Sequence, residues 1–276
     1  MINENIIAIQ GVKGSFHYEV AQLYFDNSIE IQCFSTFDAL VNSIVTGKSS
    51  LGVMAIENSI AGSIIPNYAL IDKNNLKIVG EYFYQIEHSL LALDNQEIKD
   101  IKEVHSHPMA LLQCKDFFDK YPKIKLVESD DTAKSAKEIS KNRLLNRAAI
   151  ASKNAAKLYS LDILEESIQT IKNNVTRFVI IQNKPTLTPN NYSKAALKFI
   201  LDHKRGSLAT ILNVMSDCKL NLTKIQSLPI IETPGKYSFF VDVTFDSPSY
   251  FEKAESILKI MALELKILGK FINVKV

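Results

Sequence analysis

The sequence has no tryptophan and only three cysteines in 276 residues. Cys33, Cys114 and Cys218 are widely spaced and odd in number, with no C-x-x-C pair, which excludes a disulfide framework and a cysteine zinc site. They are expected to be reduced, buried and apolar in behaviour. Histidine is scarce too: of five, only His105 and His107 are close, and Pro108 interrupts any strand that would align them, so no metal is expected. Charge of one sign is missing, since 32 Lys+Arg oppose 30 Asp+Glu for a formal net of +2, which gives no field for nucleic acid or an anionic membrane. No apolar run approaches the ~18 residues of a membrane span, and no basic segment leads an apolar one at the N-terminus; the expected compartment is the cytoplasm. Gly11-Val-Lys-Gly14 follows a strand-like run but has neither G-x-G-x-x-G nor a Walker lysine, and no G-x-S-x-G elbow occurs. With 46% hydrophobic and 22% charged residues the chain has a globular composition. A cofactor-free protein with a small-molecule partner is the expectation.

From Ile6 to Gln182 short β-like runs alternate with helical periodicity, which predicts α/β architecture with mostly parallel pairing. Strands are expected at 6–10, 30–34, 51–56, 76–84, 89–93, 103–105, 124–127, 148–151 and 175–182, and helices at about 17–25, 36–45, 66–72, 108–120, 132–141 and 153–161. Gly14-Ser15, Glu57-Asn58-Ser59, Ser106-His107-Pro108, Asp130-Asp131-Thr132 and Ser152 fall where a strand is expected to give way to a helix. Each is either an ordinary cap or part of an anion site built from converging helix N-termini. Two successive strand-like runs between Leu76 and Leu93 suggest two lobes joined by crossing strands, with 175–182 returning to the first lobe. Residues 184–193 have linker composition. Beyond them the expected order is strand 195–201, helix 207–218, strand 222–229, a turn at 232–235, strand 237–245, helix 250–268 and strand 271–276, a ferredoxin-like βαββαβ module.

Six segments in order, Gly14-Ser-Phe16, Ile56-Glu-Asn-Ser-Ile-Ala-Gly-Ser63, Val104-His-Ser-His-Pro-Met-Ala-Leu-Leu-Gln-Cys114, Asp131-Thr-Ala-Lys-Ser-Ala136, Ala148-Ala-Ile-Ala-Ser152 and Asn174-Val-Thr-Arg-Phe178, resemble the prephenate dehydratase family over roughly residues 6–182. The second module resembles an ACT regulatory domain through Gly206-Ser-Leu-Ala209 and Asn221-Leu-Thr-Lys-Ile-Gln-Ser-Leu-Pro229. The resemblance implies a periplasmic-binding-protein-like catalytic domain at 1–183, with lobe 1 at about 1–84 and 174–183 and lobe 2 at about 85–173, then the linker and an ACT domain at 194–276. It implies conversion of prephenate to phenylpyruvate, carbon dioxide and water, without metal or organic cofactor. It further implies feedback by phenylalanine and a homodimer or homotetramer joined through the ACT domains. The dehydratase pattern starts at Ile6, so no fused chorismate mutase is expected.

The resemblance places Thr176 as the hydroxyl that serves the leaving C4 oxygen, Ser15, Asn58 and Ser59 at cleft-facing helix starts that hold carboxylates, and Thr132 on the opposite lobe, closing over the same ligand. Arg177 pairs with a substrate carboxylate or braces the cleft from behind; Glu57 is a general acid or a capping residue; His107 serves the site or caps the helix begun by Pro108; Phe178 is core or substrate platform. Gly206, Ser207, Leu208, Ala209, Asn221 and Leu222 would cradle phenylalanine at a subunit interface. The chain departs from many relatives at Ser15 (Thr), Ala55 (Pro) and Met109 (Gln), and Gln226-Ser-Leu-Pro229 replaces a motif containing Glu and Arg. Arogenate dehydratase and a non-catalytic sensor of an acidic metabolite are the rival readings.

Overall fold

The computed structural model describes residues 6–25, 29–183, 188–230, 233 and 236–274. Residues 184–187 of the expected linker, and the expected turn at 232–235 apart from Thr233, lie outside the described residues. In chain order the elements are β1 (Ile6–Gln10), α1 (Phe16–Phe25), β2 (Glu30–Phe34), α2 (Phe37–Val45), β3 (Leu51–Asn58), β4 (Gly62–Ser63), α3 (Ile65–Lys73), β5 (Lys77–Gln85), β6 (Ser89–Ala92), β7 (Glu103–Ser106), α4 (Pro108–Gln113), α5 (Lys115–Phe118), β8 (Lys125–Glu128), α6 (Thr132–Lys141), β9 (Arg147–Ala151), α7 (Lys153–Tyr159), β10 (Asp162–Glu165) and β11 (Val175–Gln182). There follow β12 (Lys194–Ile200), α8 (Ser207–Asp217), β13 (Asn221–Pro229), β14 (Tyr237–Thr244), α9 (Pro248–Met261) and β15 (Glu264–Phe271). The chain divides into two compact units, Met1–Ile64 with Tyr82–Phe178, and Ile65–Glu81 with Val179–Val276.

The first unit is built on two sheets. One has the order β2-β1-β3-β11-β5, with β4 paired to β3, and its β5 and β11 are the strands that run on into the second unit. The other has the order β10-β6-β9-β7-β8. Ile7, Ala8 and Ile9 are fully buried, which fits a central strand parallel to both β2 and β3. Pairing is more mixed than expected: β7 is parallel to β8 and β9, whereas β6 is antiparallel to β9 and β10. The β10 edge strand escapes the sequence pattern because only one of its four residues is better than exposed.

Local chemistry sets the helix starts. Thr36 Oγ1 accepts from the Ala39 N–H at 3.1 Å, Asp131 Oδ1 from the Lys134 N–H at 2.8 Å, and Ser152 Oγ from the Ala155 N–H at 3.1 Å. Three expectations need correction. The helix from Pro108 breaks at Cys114 into α4 and α5. Asn58-Ser59 is not a helix start: β3 extends through Asn58 and turns into β4, because Asn58 Oδ1 accepts from the N–H groups of Ile60 and Ala61 and Gly62 takes a φ of 81°. Cys114 and Cys218 are buried, but Cys33 is exposed on the edge strand β2.

In the second unit β12 to β15 form a four-stranded sheet of order β13-β14-β12-β15, antiparallel throughout, from a βαββαβ succession. Leu197, Phe199, Ile211, Met215, Phe251 and Leu258 are in its core. Helix α9 ends at Met261, seven residues before the expected end at 268, because Ala262 turns extended and the apolar run after it pairs with β12. Residues 65–81 pack with this sheet. Glu81 and Lys194 form a buried ion pair at 2.8 Å with side chains 0% and 5% exposed. Asp72 accepts from Lys198 at 2.8 Å and from Lys266 at 2.6 Å. At Gly269 a Cβ would stand 2.1 Å from the Ile78 carbonyl oxygen, so only glycine permits this approach. Removing one partner of a buried pair strands the other charge. Glu81→Ala is therefore expected to cost about 3–5 kcal/mol in urea unfolding, against under about 1 kcal/mol for Glu97→Ala in the exposed Lys99 pair.

Candidate active site

A cavity of about 440 Å³ opens within the first unit, in the range of small-molecule sites. One wall comes from the carboxyl end of β3, the amino end of β11 and the start of α1, and carries Ser15, His17, Asn58, Thr176 and Phe178. The facing wall comes from the second sheet's side and carries His88, His107, Gln113, Asp131 and Thr132. Starts of α1, α4 and α6 thus meet at one cavity, and none of its lining residues is a lysine or arginine. Its polar groups are backbone N–H groups and uncharged side chains together with the carboxylates of Asp130 and Asp131.

One hydrogen-bonded chain organises the floor. Asn58 Oδ1 accepts from the N–H groups of Ile60 at 3.0 Å and Ala61 at 2.9 Å. Only the oxygen of the amide can accept, so the amide cannot flip and Nδ2 faces β11. From there Nδ2 donates to Asn174 Oδ1 at 2.7 Å and to Thr176 Oγ1 at 2.9 Å. Because Thr176 Oγ1 receives that bond, its own O–H is left to donate elsewhere. Asn174, fully buried, passes Nδ2 on to Gln113 Oε1 at 3.0 Å, and Gln113 Oε1 also meets His88 Nε2 at 3.0 Å. His88 must then carry its proton on Nε2, and burial pushes its pKa down to about 4.

His17 is a second neutral imidazole. Its Nε2 accepts the Ala55 N–H at 3.2 Å, just beyond the last β1–β3 rung at Ile9–Val53. Its ring stands edge-on to Phe178 at 5.0 Å, and burial lowers its pKa to about 4. Asp131 caps α6, and burial raises its carboxyl above the ordinary range despite the N–H bond from Lys134. Beside the cavity wall, Glu19 of α1 accepts from Tyr84 at 2.5 Å and from Ser152, the residue that caps α7. Burial raises the Glu19 carboxyl as well.

Of the residues singled out in the sequence, Ser15, Asn58, Thr132, His107, Thr176 and Phe178 line the cavity. His107 also caps α4, its Nδ1 accepting the Met109 N–H at 3.2 Å. Ser59 lies elsewhere: it is exposed, and its hydroxyl and N–H bond the backbone at Asn173 and Val175. Glu57 and Arg177 are not lining residues either. Arg177 is buried on the alternate face of β11, its guanidinium 6.0 Å from the Phe83 ring centroid. Met109 lines the cavity as apolar surface. His17, His88, Gln113 and Asn174 were missed. The scarce histidines were set aside as scattered, yet three of the five reach this cavity from separate elements. In the second unit Gly206, with φ of 83°, precedes α8, and Ser207 and Leu208 line a depression of about 140 Å³. Asn221 lines a different one of about 420 Å³, Leu222 packs toward the core and Ala209 is exposed. Among the described residues no cluster of three or more His, Cys, Asp or Glu could hold a metal ion, and no helix is long and apolar enough to cross a membrane.

The two α/β sheets of the first unit face each other across a mostly apolar cavity with a few polar groups in its lining, the carboxylates of Asp130 and Asp131 among them, which is the make-up of a small-molecule site. The family described as prephenate dehydratase matches residues 7–186, and the chain belongs to that family. Prephenate dehydratase of Methanocaldococcus jannaschii is 36% identical over 256 residues, 90% of each chain. Arogenate dehydratase/prephenate dehydratase 2 of Arabidopsis thaliana, a chloroplastic protein, is 34% identical over 278 residues, covering 96% of this chain and 72% of the relative. Among solved structures, prephenate dehydratase of Staphylococcus aureus superposes with a TM-score of 0.83 at 27% identity over 96% of this chain and 99% of the other. A protein described as GqqA, a novel type of quorum quenching acylase, superposes with a TM-score of 0.87 at 26% identity over 98% of both chains.

The two neutral histidines make stability depend on pH. A folded-state pKa near 4 against an ordinary 6.5 means that the unfolded chain binds more protons between those values. Stability is then complete above pH 6.5 and falls as the pH drops toward 4, by roughly 3 kcal/mol for each histidine. Urea midpoints measured across this window should show that slope, and His88→Gln should reduce it by about half, leaving the share of His17.

Proposed function

We propose that the cavity carries out the decarboxylating dehydration of prephenate to phenylpyruvate, carbon dioxide and water. The observation that supports this most directly is the fixed Asn58 amide on Thr176 Oγ1. In the reaction the bond from the ring to its carboxylate breaks and releases carbon dioxide. Its electron pair enters the ring, which becomes aromatic, and the C4–O bond breaks with its pair on oxygen. That oxygen needs one proton to leave as water. Thr176 is placed to supply it, with Asn58 Nδ2 stabilising the oxygen left behind until water returns the proton. Ser15 and the N–H groups at the starts of α1 and α6 hold the carboxylates, and Arg177 braces β11 from behind. No cofactor is called for, because aromatisation drives the reaction.

Fold alone does not choose the chemistry, since a structure of the same architecture is described as an acylase. Acyl transfer by Thr176 would require a base within hydrogen-bond reach of its hydroxyl. The group bonded to Thr176 Oγ1 is an amide N–H donor, which cannot accept a proton. That geometry favours proton donation over nucleophilic attack.

In the same reading residues 194–276 form an ACT domain that binds phenylalanine and pairs subunits, residues 1–183 form the catalytic domain, and the protein works in the cytoplasm. The βαββαβ order and the sheet order β13-β14-β12-β15 support the ACT assignment. Ser207-Leu208 and Asn221 face separate depressions in one chain, which is consistent with an effector site completed by a second copy.

Purified protein should form phenylpyruvate from prephenate, and a parallel assay with arogenate sets the preference between them. Binding without turnover of either would return the site to the sensor reading. Thr176→Ala is expected to lower kcat about 10²- to 10⁴-fold with a much smaller change in KM, and Thr176→Ser to retain most activity. Equal losses in the two variants would remove the hydroxyl from the chemistry. Gly206→Val forces a β-branched residue into a positive φ and should abolish inhibition by phenylalanine while basal turnover persists; inhibition that survives would place the effector elsewhere.

A further inference from the structure

His17 takes part in a hydrogen bond whose direction fixes what the rest of its ring can do. The Ala55 backbone N–H is the donor, so Nε2 contributes its lone pair and the proton of the neutral ring must be on Nδ1. Burial keeps the ring neutral at ordinary pH. Among the described residues Nδ1 has no hydrogen-bond partner, and Phe37 and Phe178, the rings packed on His17, offer it none. The residue is mostly buried yet keeps a partly exposed edge, and it lines the cavity wall together with both phenylalanines. A tautomer-locked N–H donor without an acceptor in the protein is suited to an acceptor oxygen of a ligand, and in a cavity lined by Asp130 and Asp131 but by no lysine or arginine it is one of the few groups that can bind a ligand carboxylate.

Building on the proposed function, we infer that His17 Nδ1–H donates a hydrogen bond to a carboxylate oxygen of the bound substrate, and so determines substrate affinity in this chain. The structural alternative is that His17 only caps the Ala55 N–H. Two amide variants separate these roles. In His17→Gln the side-chain oxygen reaches the former Nε2 position and keeps the cap but loses the donor. In His17→Asn the amide nitrogen reaches the former Nδ1 position and keeps the donor but loses the cap.

The experiment measures kcat and KM for prephenate and the Tm of wild type and both variants. His17→Gln is expected to raise KM about 10- to 100-fold, the range of a hydrogen bond to a charged group, with Tm nearly unchanged. His17→Asn should lower Tm while KM stays within about 3-fold of wild type, less than the loss of such a bond. A wild-type KM in His17→Gln, or equal impairment in both variants, would overturn the inference in favour of the cap. If the wild type binds prephenate without turning it over, the proposed function fails, and calorimetric Kd values for prephenate with the same three proteins still decide the hydrogen bond. If wild type neither turns over nor binds prephenate, both are overturned.

Discussion

The site depends on the orientation of one amide. Asn58 accepts two N–H bonds from the turn that follows it, so its own N–H groups have a single direction open to them. Thr176 and Asn174 occupy that direction. A reversed amide would present oxygen to Thr176, whose hydroxyl would then donate to Asn58 instead of to a ligand. The extension of β3 through Asn58 and the tight turn to β4 are therefore part of the chemistry, because they create the pair of N–H donors that forbids the reversed state. Gln113 and His88 extend the constraint to the facing wall, where each buried donor finds an acceptor. In such a network the loss of one member leaves its neighbours unpaired.

In the proposed reaction the cavity takes up a dianion with no lysine or arginine in its lining and with Asp130 and Asp131 beside it. Lysines or arginines would bind two carboxylates tightly, yet they would hold substrate and a monoanionic product almost equally well. Neutral donors with fixed directions favour the arrangement of charge they were built around over the total charge. Burial of His17 and His88 serves the same end: both rings stay neutral, each has a tautomer set by its partner, and neither adds a charge that varies with pH near neutrality. Asp131 moves in the opposite sense. Its raised pKa reflects the cost of a carboxylate near Gly11 and Ser15, where an added Cβ on Gly11 would come within 2.9 Å of it.

Much of this was legible in the sequence, and the limits have physical causes. Alternation along Asn174-Val-Thr-Arg-Phe178 divides the segment as a strand must, with Thr176 and Phe178 toward the cavity and Arg177 away from it. Capping residues marked the starts of α4, α6 and α7 because capping is a local interaction. The helical role expected of Asn58-Ser59 failed because an asparagine followed by two free N–H groups can close a turn between strands as readily as it can cap a helix. His17, His88 and Gln113 could not be grouped from spacing, since they come from α1, the segment between β5 and β6, and α4. Only the folded sheets bring them together. The misplaced end of α9 has a related cause: the run after Met261 is apolar enough for a helix face, and pairing with β12 decides its state.

The second unit's polar contacts raise a question of design that the buried pair answers in part. Glu81–Lys194 has both charges removed from water, and such a pair rarely adds net stability over apolar residues of similar size. What it does supply is register. A lysine at the start of β12 that must meet one carboxylate, together with Lys198 and Lys266 converging on Asp72, allows the 65–81 segment a single position along the sheet. The carbonyl of Ile78 over Gly269 excludes displaced positions sterically. An apolar interface would tolerate sliding by one residue at little cost, whereas here each slip strands a buried charge.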